Sequence, residues 1–390
     1  MCVARGGVKA ADQIMAKART AEDVTQAVLA HPEVARLFED GRAEDPARVR
    51  EQVLAYLHEL QTRQRYQLYR RLPAFLYPVL RKVPRLVEHI DLARAATRAG
   101  RVVYASNHRS HLDYIVEPVA IDDGGIRPPV IAAGFNLFGG PLGLLQRNIT
   151  GAIPIRRGTR DPVYLTTLKA YVAERLQDQD ILVYPEGGRS YGGELKSYKT
   201  GLLHAAVQAG VKGLVIVPLA VSYDLVLEDR VLAGQGGVKR RQRPFTHELA
   251  EMIALSVGYR SRAFTVFGQP IAVSGYDPES RKDVLDLAHQ LREATGKLYK
   301  VLPTAIVAHA LGRSAMPADL ESRVAARLDH LLEAGANLAS RDAKDVVEDG
   351  VSRLEYRGVI QSERGKIRVA DRRVLRAYAR SIQHLLPDAS

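Results

Sequence analysis

Val102-Val-Tyr-Ala-Ser106-Asn-His108-Arg-Ser-His-Leu-Asp113-Tyr114 is the stretch on which the fold turns. Val102–Ser106 is an uncharged run of strand length, too short for a buried helix. It passes into a polar turn and then a helical pattern. The same alternation continues downstream. Val130–Ala133, Ala152–Ile155, Ile181–Tyr184, Leu214–Ser222 and Ala263–Phe267 read as strands, with helices over Pro162–Gln177 and Thr200–Ala209. This pattern predicts an α/β domain over residues 96–275, a mostly parallel sheet flanked by helices. On its amino-terminal side, residues 1–95 read as a helical region, with one helix over residues 46–71 capped by Asp45 and opened by Pro46. On its carboxy-terminal side, residues 276–390 read as helices over 279–300, 317–335, 342–355 and 372–386. Gly358–Val369 reads as a hairpin with Arg-Gly near its turn.

Four clusters carry chemistry, each on or just after a predicted strand, where ligand sites form in open α/β sheets. In the first, four residues separate His108 from Asp113. With His108 at the strand end and Asp113 in the first helical turn, the carboxylate can fix the imidazole tautomer and support a general base. The plain alternative is a surface histidine beside a helix cap. The second, Gly151-Ala-Ile-Pro-Ile-Arg156-Arg157-Gly158, brings two arginines to a strand end, where a guanidinium suits a phosphate. Side chains alternate along a strand, so only one of the two need face the site.

The third cluster runs from Tyr184-Pro-Glu186-Gly187-Gly188-Arg189-Ser190-Tyr191 to Lys196 and Lys199. Its glycines permit close backbone approach, its N–H groups can cradle an anion, and it does not have the spacing of an ATP-binding loop. The fourth, Ile216-Val-Pro218-Leu-Ala-Val-Ser-Tyr223, is a buried strand with an internal proline, which marks a bulge, an edge or the wall of a site.

Composition narrows the partners. The chain has 390 residues, 46% hydrophobic and 26% charged, enough for a substantial core rather than overall disorder. Its 56 basic against 44 acidic residues leave a net charge of +12, which favours anionic partners. The single cysteine, Cys2, excludes an intrachain disulfide and a cysteine zinc site, and no metal is expected. The start lacks the apolar run of a secretory signal. Pro128 to Gln146 is uncharged but broken by prolines and glycines, and reads as a strand, a turn and a short helix rather than a membrane span. Residues 63–85 interleave Arg65, Arg70, Arg71, Arg81, Lys82 and Arg85 with Tyr66, Tyr69, Phe75 and Tyr77, a composition suited to a membrane surface.

Together and in this order, the four clusters resemble the sequence blocks of the glycerol-3-phosphate acyltransferase family: His-Arg-Ser-His-Leu-Asp-Tyr at 108–114, Gly-Ala-Ile-Pro-Ile-Arg-Arg at 151–157, Pro-Glu-Gly-Gly-Arg-Ser at 185–190 and Val-Pro-Leu-Ala-Val-Ser-Tyr at 217–223. Ile131–Leu137 is similar to that family's linking segment, and residues 374–386 to the tail of its longer members. The resemblance implies transfer of a fatty acyl group from acyl-CoA or acyl-ACP to the 1-hydroxyl of glycerol 3-phosphate, without a cofactor or an acyl-enzyme. It implies His108 as base and Asp113 as its orienting carboxylate. Arg157, Glu186, Gly187, Gly188, Arg189 and Ser190 would bind glycerol 3-phosphate, Arg156 and Lys199 would assist, and Pro218 would shape the acyl-donor side. Tyr191 stands where relatives carry a second basic residue, and Lys196 or Lys199 can supply that charge.

Two close alternatives use the same motifs: acylation of 1-acylglycerol 3-phosphate or of dihydroxyacetone phosphate. A nucleic-acid-binding protein would suit the charge and Lys239–Arg243, but no recognition motif accompanies them, and no nucleic-acid partner is expected. The expected partners are glycerol 3-phosphate, acyl-CoA or acyl carrier protein, and an anionic membrane surface. The expected location is peripheral, on the cytoplasmic face of a membrane, with no transmembrane helix.

Overall fold

The computed structural model describes residues 19–39, 45–69, 84–234 and 261–387. Its main sheet has the order β1-β7-β6-β2-β5-β3-β4, with the short β8 beside β6. The strands are β1 (Arg85–Glu88), β2 (Val102–Ser106), β3 (Val130–Gly134), β4 (Ile153–Ile155), β5 (Ile181–Val183), β6 (Val215–Tyr223), β7 (Ala263–Phe267) and β8 (Ile271–Ala272). From β6 to β4 every pair is parallel, so the carboxyl ends of five strands share one edge. β7 runs antiparallel to β6, and β1 parallel to β7. This is the expected α/β architecture. All five residues of β2 are buried, as a central strand covered on both faces requires.

The proline of β6 falls where the neighbouring antiparallel strand changes. Ile216 pairs with β8 and Leu219 with β7. Between them the Pro218 carbonyl accepts from Gly268 N–H at 2.8 Å. The missing proline N–H thus lies at a break in the ladder, where no bond is lost.

Helices cover both faces. The helix Pro162–Arg175 starts at Asp161, whose carboxylate accepts from Val163 and Tyr164 N–H, with proline at the first turn. Its apolar side shares a core with Val28, Val53, Leu57 and Leu60 from the amino-terminal helices and with Val103 and Ile181 of the sheet. A second core joins Leu112, Val221, Tyr223 and Ala263 to Ile306, Leu320, Leu354 and Tyr378 of the carboxy-terminal helices.

Several sequence expectations change in detail. The helix expected over 46–71 ends at Leu60. Beyond it the backbone turns extended, and Arg63 and Arg65 N–H donate to the carbonyls of Arg147 and Ile149. Arg85–Glu88, placed within the helical region, is a four-residue edge strand, too short to show a period. The helix Pro303–Leu311 has no sequence signature, because it is buried on nearly every side and carries no amphipathic stripe. The last expected helix stops at Arg380, followed by a short turn of 3-10 helix over Gln383–Leu385. Pro128–Gln146 does hold a strand, a turn and most of the helix Gly140–Asn148. The hairpin strands Ile360–Glu363 and Lys366–Val369 flank Arg364 and Gly365, both with positive φ, as a tight hairpin turn requires. No described helix is long and apolar enough to cross a membrane. Most of the basic-aromatic segment (70–83) and Lys239–Arg243 lie outside the described residues.

Candidate active site

His108 stands just beyond the carboxyl end of β2, and its Nδ1 lies 2.8 Å from Asp113 Oδ2. Asp113 is fully buried at the start of the helix Asp113–Asp123. Its carboxylate collects three further donors: Arg109 N–H at 2.6 Å, Ser110 N–H at 3.0 Å and the Tyr223 hydroxyl at 2.8 Å. Four donors hold this carboxylate in place, and its contact with the ring fixes the imidazole tautomer with the proton on Nδ1. Burial holds His108 below its ordinary pKa, partly offset by Asp113, while Arg157 and Arg189 push the same way as burial. Near neutral pH the imidazole is therefore unprotonated and able to accept a proton at Nε2.

The loop after β5 brings Glu186, Gly187, Gly188, Arg189 and Ser190 beside this pair, because β5 is the neighbour of β2. Ser190 N–H donates to the His108 carbonyl at 2.9 Å. Glu186 is buried and takes backbone N–H groups on both oxygens, from His108 at 3.2 Å and Lys196 at 3.4 Å. Burial raises its pKa to about 7. Glu186 is thus committed to tying the two loops together in this structure. The Ser190 hydroxyl is likewise engaged, donating to Glu194 O at 2.7 Å. Gly187 has φ +71°, and the end of the Lys199 side chain lies across its open face, where a Cβ would come within 2.5 Å of Nζ.

The paired arginines part company. Arg157 reaches toward the loop, with Nη1 4.0 Å from where a Cβ on Gly188 would lie. Arg156 turns to the amino-terminal helix, where its guanidinium pairs with Glu59 and stacks over Tyr56 and Tyr164. Alternation along the strand thus sends Arg156 to this ion pair, on the side away from Arg157. Lys196 donates to the carbonyls of Gly188 and Arg189 and lies 5.1 Å from the Tyr191 ring centre, so it braces the loop from within. Pro218 is buried within β6, two strands from β5, opposite Ala105 of β2 and with its ring against Gly268.

Residues 79–222, which hold all four clusters but the last residue of the fourth, match the protein-family model described as Acyltransferase. The chain carries an acyltransferase domain. Over 313 residues it is 31% identical to a protein provisionally named acyltransferase plsB1 in Mycobacterium tuberculosis and Mycobacterium bovis, covering 74% of this chain and 49% of the relative. Over 264 residues it is 32% identical to a protein named glycerol-3-phosphate acyltransferase from Actinobacillus succinogenes, covering 64% of this chain and 32% of the relative. The chain thus spans about half the length of the mycobacterial relatives and a third of the other.

The acyltransferase domain also relies on residues that the sequence did not single out. Glu228, buried after β6, accepts from the Ser110 hydroxyl at 2.8 Å, His111 N–H at 2.6 Å and Arg189 Nη1 at 3.3 Å. It joins the histidine loop to the arginine of the glycine loop. Asn107 pairs its side-chain amide with the backbone of Val221 at 3.0 and 2.7 Å, locking the end of β2 to β6. Arg292, from the helix Arg281–Leu298, donates to the carbonyls of Leu195 and Lys196, both at 3.0 Å. None of these contacts leaves a local spacing signal, since each partner lies far away in the chain.

Proposed function

We propose that this protein transfers a fatty acyl group from a thioester, acyl-CoA or acyl-ACP, to the 1-hydroxyl of glycerol 3-phosphate. The observation that carries this reading is the buried His108–Asp113 pair at the carboxyl edge of the sheet, with Arg157, Arg189 and Lys199 around it. The arginines and Lys199 suit the acceptor phosphate, and the glycine loop lets it approach the backbone. The name of the Actinobacillus succinogenes relative agrees with this acceptor. His108 Nε2 takes the proton from the 1-hydroxyl as the oxygen attacks the thioester carbonyl, and Asp113 stabilises the imidazolium that results. The tetrahedral intermediate collapses, the carbon–sulfur bond breaks, and the leaving thiolate takes the proton back from His108. Because the acceptor oxygen attacks directly, no acyl-enzyme forms.

The test is acyl transfer from palmitoyl-CoA, and from the matching carrier-protein thioester, to glycerol 3-phosphate. We expect turnover that falls by ~10²-fold or more in His108→Ala. Activity confined to 1-acylglycerol 3-phosphate or dihydroxyacetone phosphate would reassign the acceptor. The acyl product would be made at a membrane surface. Phe135 and Leu144, exposed at 46% and 65% on the segment following β3, support contact with lipid on the active-site edge. Flotation with anionic liposomes checks this, and equal binding by Phe135→Ser/Leu144→Ser would dismiss that surface.

A further inference from the structure

One edge of the His108 ring belongs to Asp113, and one face belongs to Tyr184. The two rings stack with centres 4.3 Å apart and planes 22° from parallel. The Tyr184 hydroxyl donates to Glu117 Oε2 at 2.7 Å, and the Ser106 hydroxyl pairs with the other oxygen of the same carboxyl group, with Asn107 Oδ1 3.5 Å away as a second acceptor for its hydrogen. Ser106 ends β2, Tyr184 follows β5, and Glu117 lies on the helix Asp113–Asp123. Three elements that surround His108 therefore meet at one side chain.

Glu117 follows Asp113 by four residues on one helix, so the two carboxyl groups lie on the same face. Both are fully buried. Asp113 holds the imidazole, two backbone N–H groups and a phenol. Glu117 holds two hydroxyls, and no cation pairs with it among the described residues. Two buried carboxylates one turn apart cannot both stay ionised cheaply, and Glu117 has the poorer set of partners. We infer that Tyr184 and Glu117 are positioning residues for His108: Glu117, as an uncharged acid, pins the Tyr184 hydroxyl, and the phenol ring then fixes the plane of the imidazole. Burial, with the charge of Asp113 adding to it, holds Glu117 well above the ordinary carboxylate range, in accord with this geometry. A second negative charge here would also compete with Asp113 for the imidazolium.

The rate readout rests on the proposed acyl transfer, so the test includes a measurement that needs no substrate. The His108 imidazole is titrated by nitrogen NMR in the full chain, its signal identified by loss in His108→Asn. The charged groups that face it are Asp113, Arg157 and Arg189, all left in place. Glu117→Gln has the shape of the uncharged acid. It should leave the titration midpoint within ~0.3 units and kcat within about threefold of wild type. Tyr184→Ala admits water to the ring, so the midpoint should rise, and kcat should fall ~10-fold or more with KM for glycerol 3-phosphate changed less than about twofold. Tyr184→Phe keeps the stack and should fall between wild type and the alanine variant. A midpoint lowered by ~1 unit in Glu117→Gln would mean that Glu117 is charged, and would overturn the inference. So would a Tyr184→Ala protein with the wild-type midpoint and kcat. If the wild type fails to acylate glycerol 3-phosphate, the function reading falls while the titration still decides this one.

Discussion

At the scale of the residue, the site is governed by which buried groups hold a proton. Glu186 is the clearest case, because its pKa lies at about 7 when folded against an ordinary 4.5. The native state therefore keeps a proton that the unfolded chain releases in this interval. The stabilisation from the protonated acid is complete below about pH 4.5 and is lost as pH rises through about 7, amounting to about 3 kcal/mol. Glu186→Gln cannot titrate. We expect thermal melts between about pH 5 and about pH 8 to favour the glutamine variant over wild type increasingly as pH rises. A melting-temperature difference that stays constant across this range would contradict the assignment. The sequence displayed His108, Asp113 and the arginines because they cluster within short motifs. It could not display that Glu186 spends both oxygens on backbone N–H groups, or that Arg156 pairs with Glu59. Those facts depend chiefly on His108, 78 residues from Glu186, and Glu59, 97 residues from Arg156.

At the scale of the element, the glycine loop has little room to change. Gly193 has φ +90°, and a Cβ built there would lie 1.8 Å from the Ala377 carbonyl oxygen. The Gly193 carbonyl accepts from Arg109, next to the proposed base. Gly193→Ala must displace either this loop or the helix Arg372–Arg380, besides straining the backbone. We expect it to destabilise the protein by more than ~1 kcal/mol in urea unfolding and to raise KM for glycerol 3-phosphate. An alanine variant with unchanged KM would mean that the loop does not hold the acceptor. Strands were legible where they were continuous apolar runs: β2 and β7 match their expected bounds to the residue. Elements without a period of their own, such as Arg85–Glu88 and Pro303–Leu311, take their conformation from the partners that cover them.

At the scale of the whole molecule, the terminal regions share cores with the sheet. Leu57 is buried between the amino-terminal helices, the helix Pro162–Arg175 and the strands. Leu57→Ala should cost about 2–5 kcal/mol, measured by denaturant unfolding. A loss below ~1 kcal/mol would show that the amino-terminal helices dock only loosely. The carboxy-terminal region is more deeply involved still. Arg292 holds two carbonyls of the glycine loop, Tyr378 donates to Asp229 at 2.8 Å, and Arg357 caps the same aspartate. A seam that looks like a domain border in the sequence, near residue 276, thus runs through the support of the glycine loop. Recombination across that seam would couple a loop shaped for one carboxy-terminal partner to another. Engineers seeking a new acceptor or donor by exchanging tails should find inactive hybrids unless Gly193, Arg292 and the Ala377 backbone travel together.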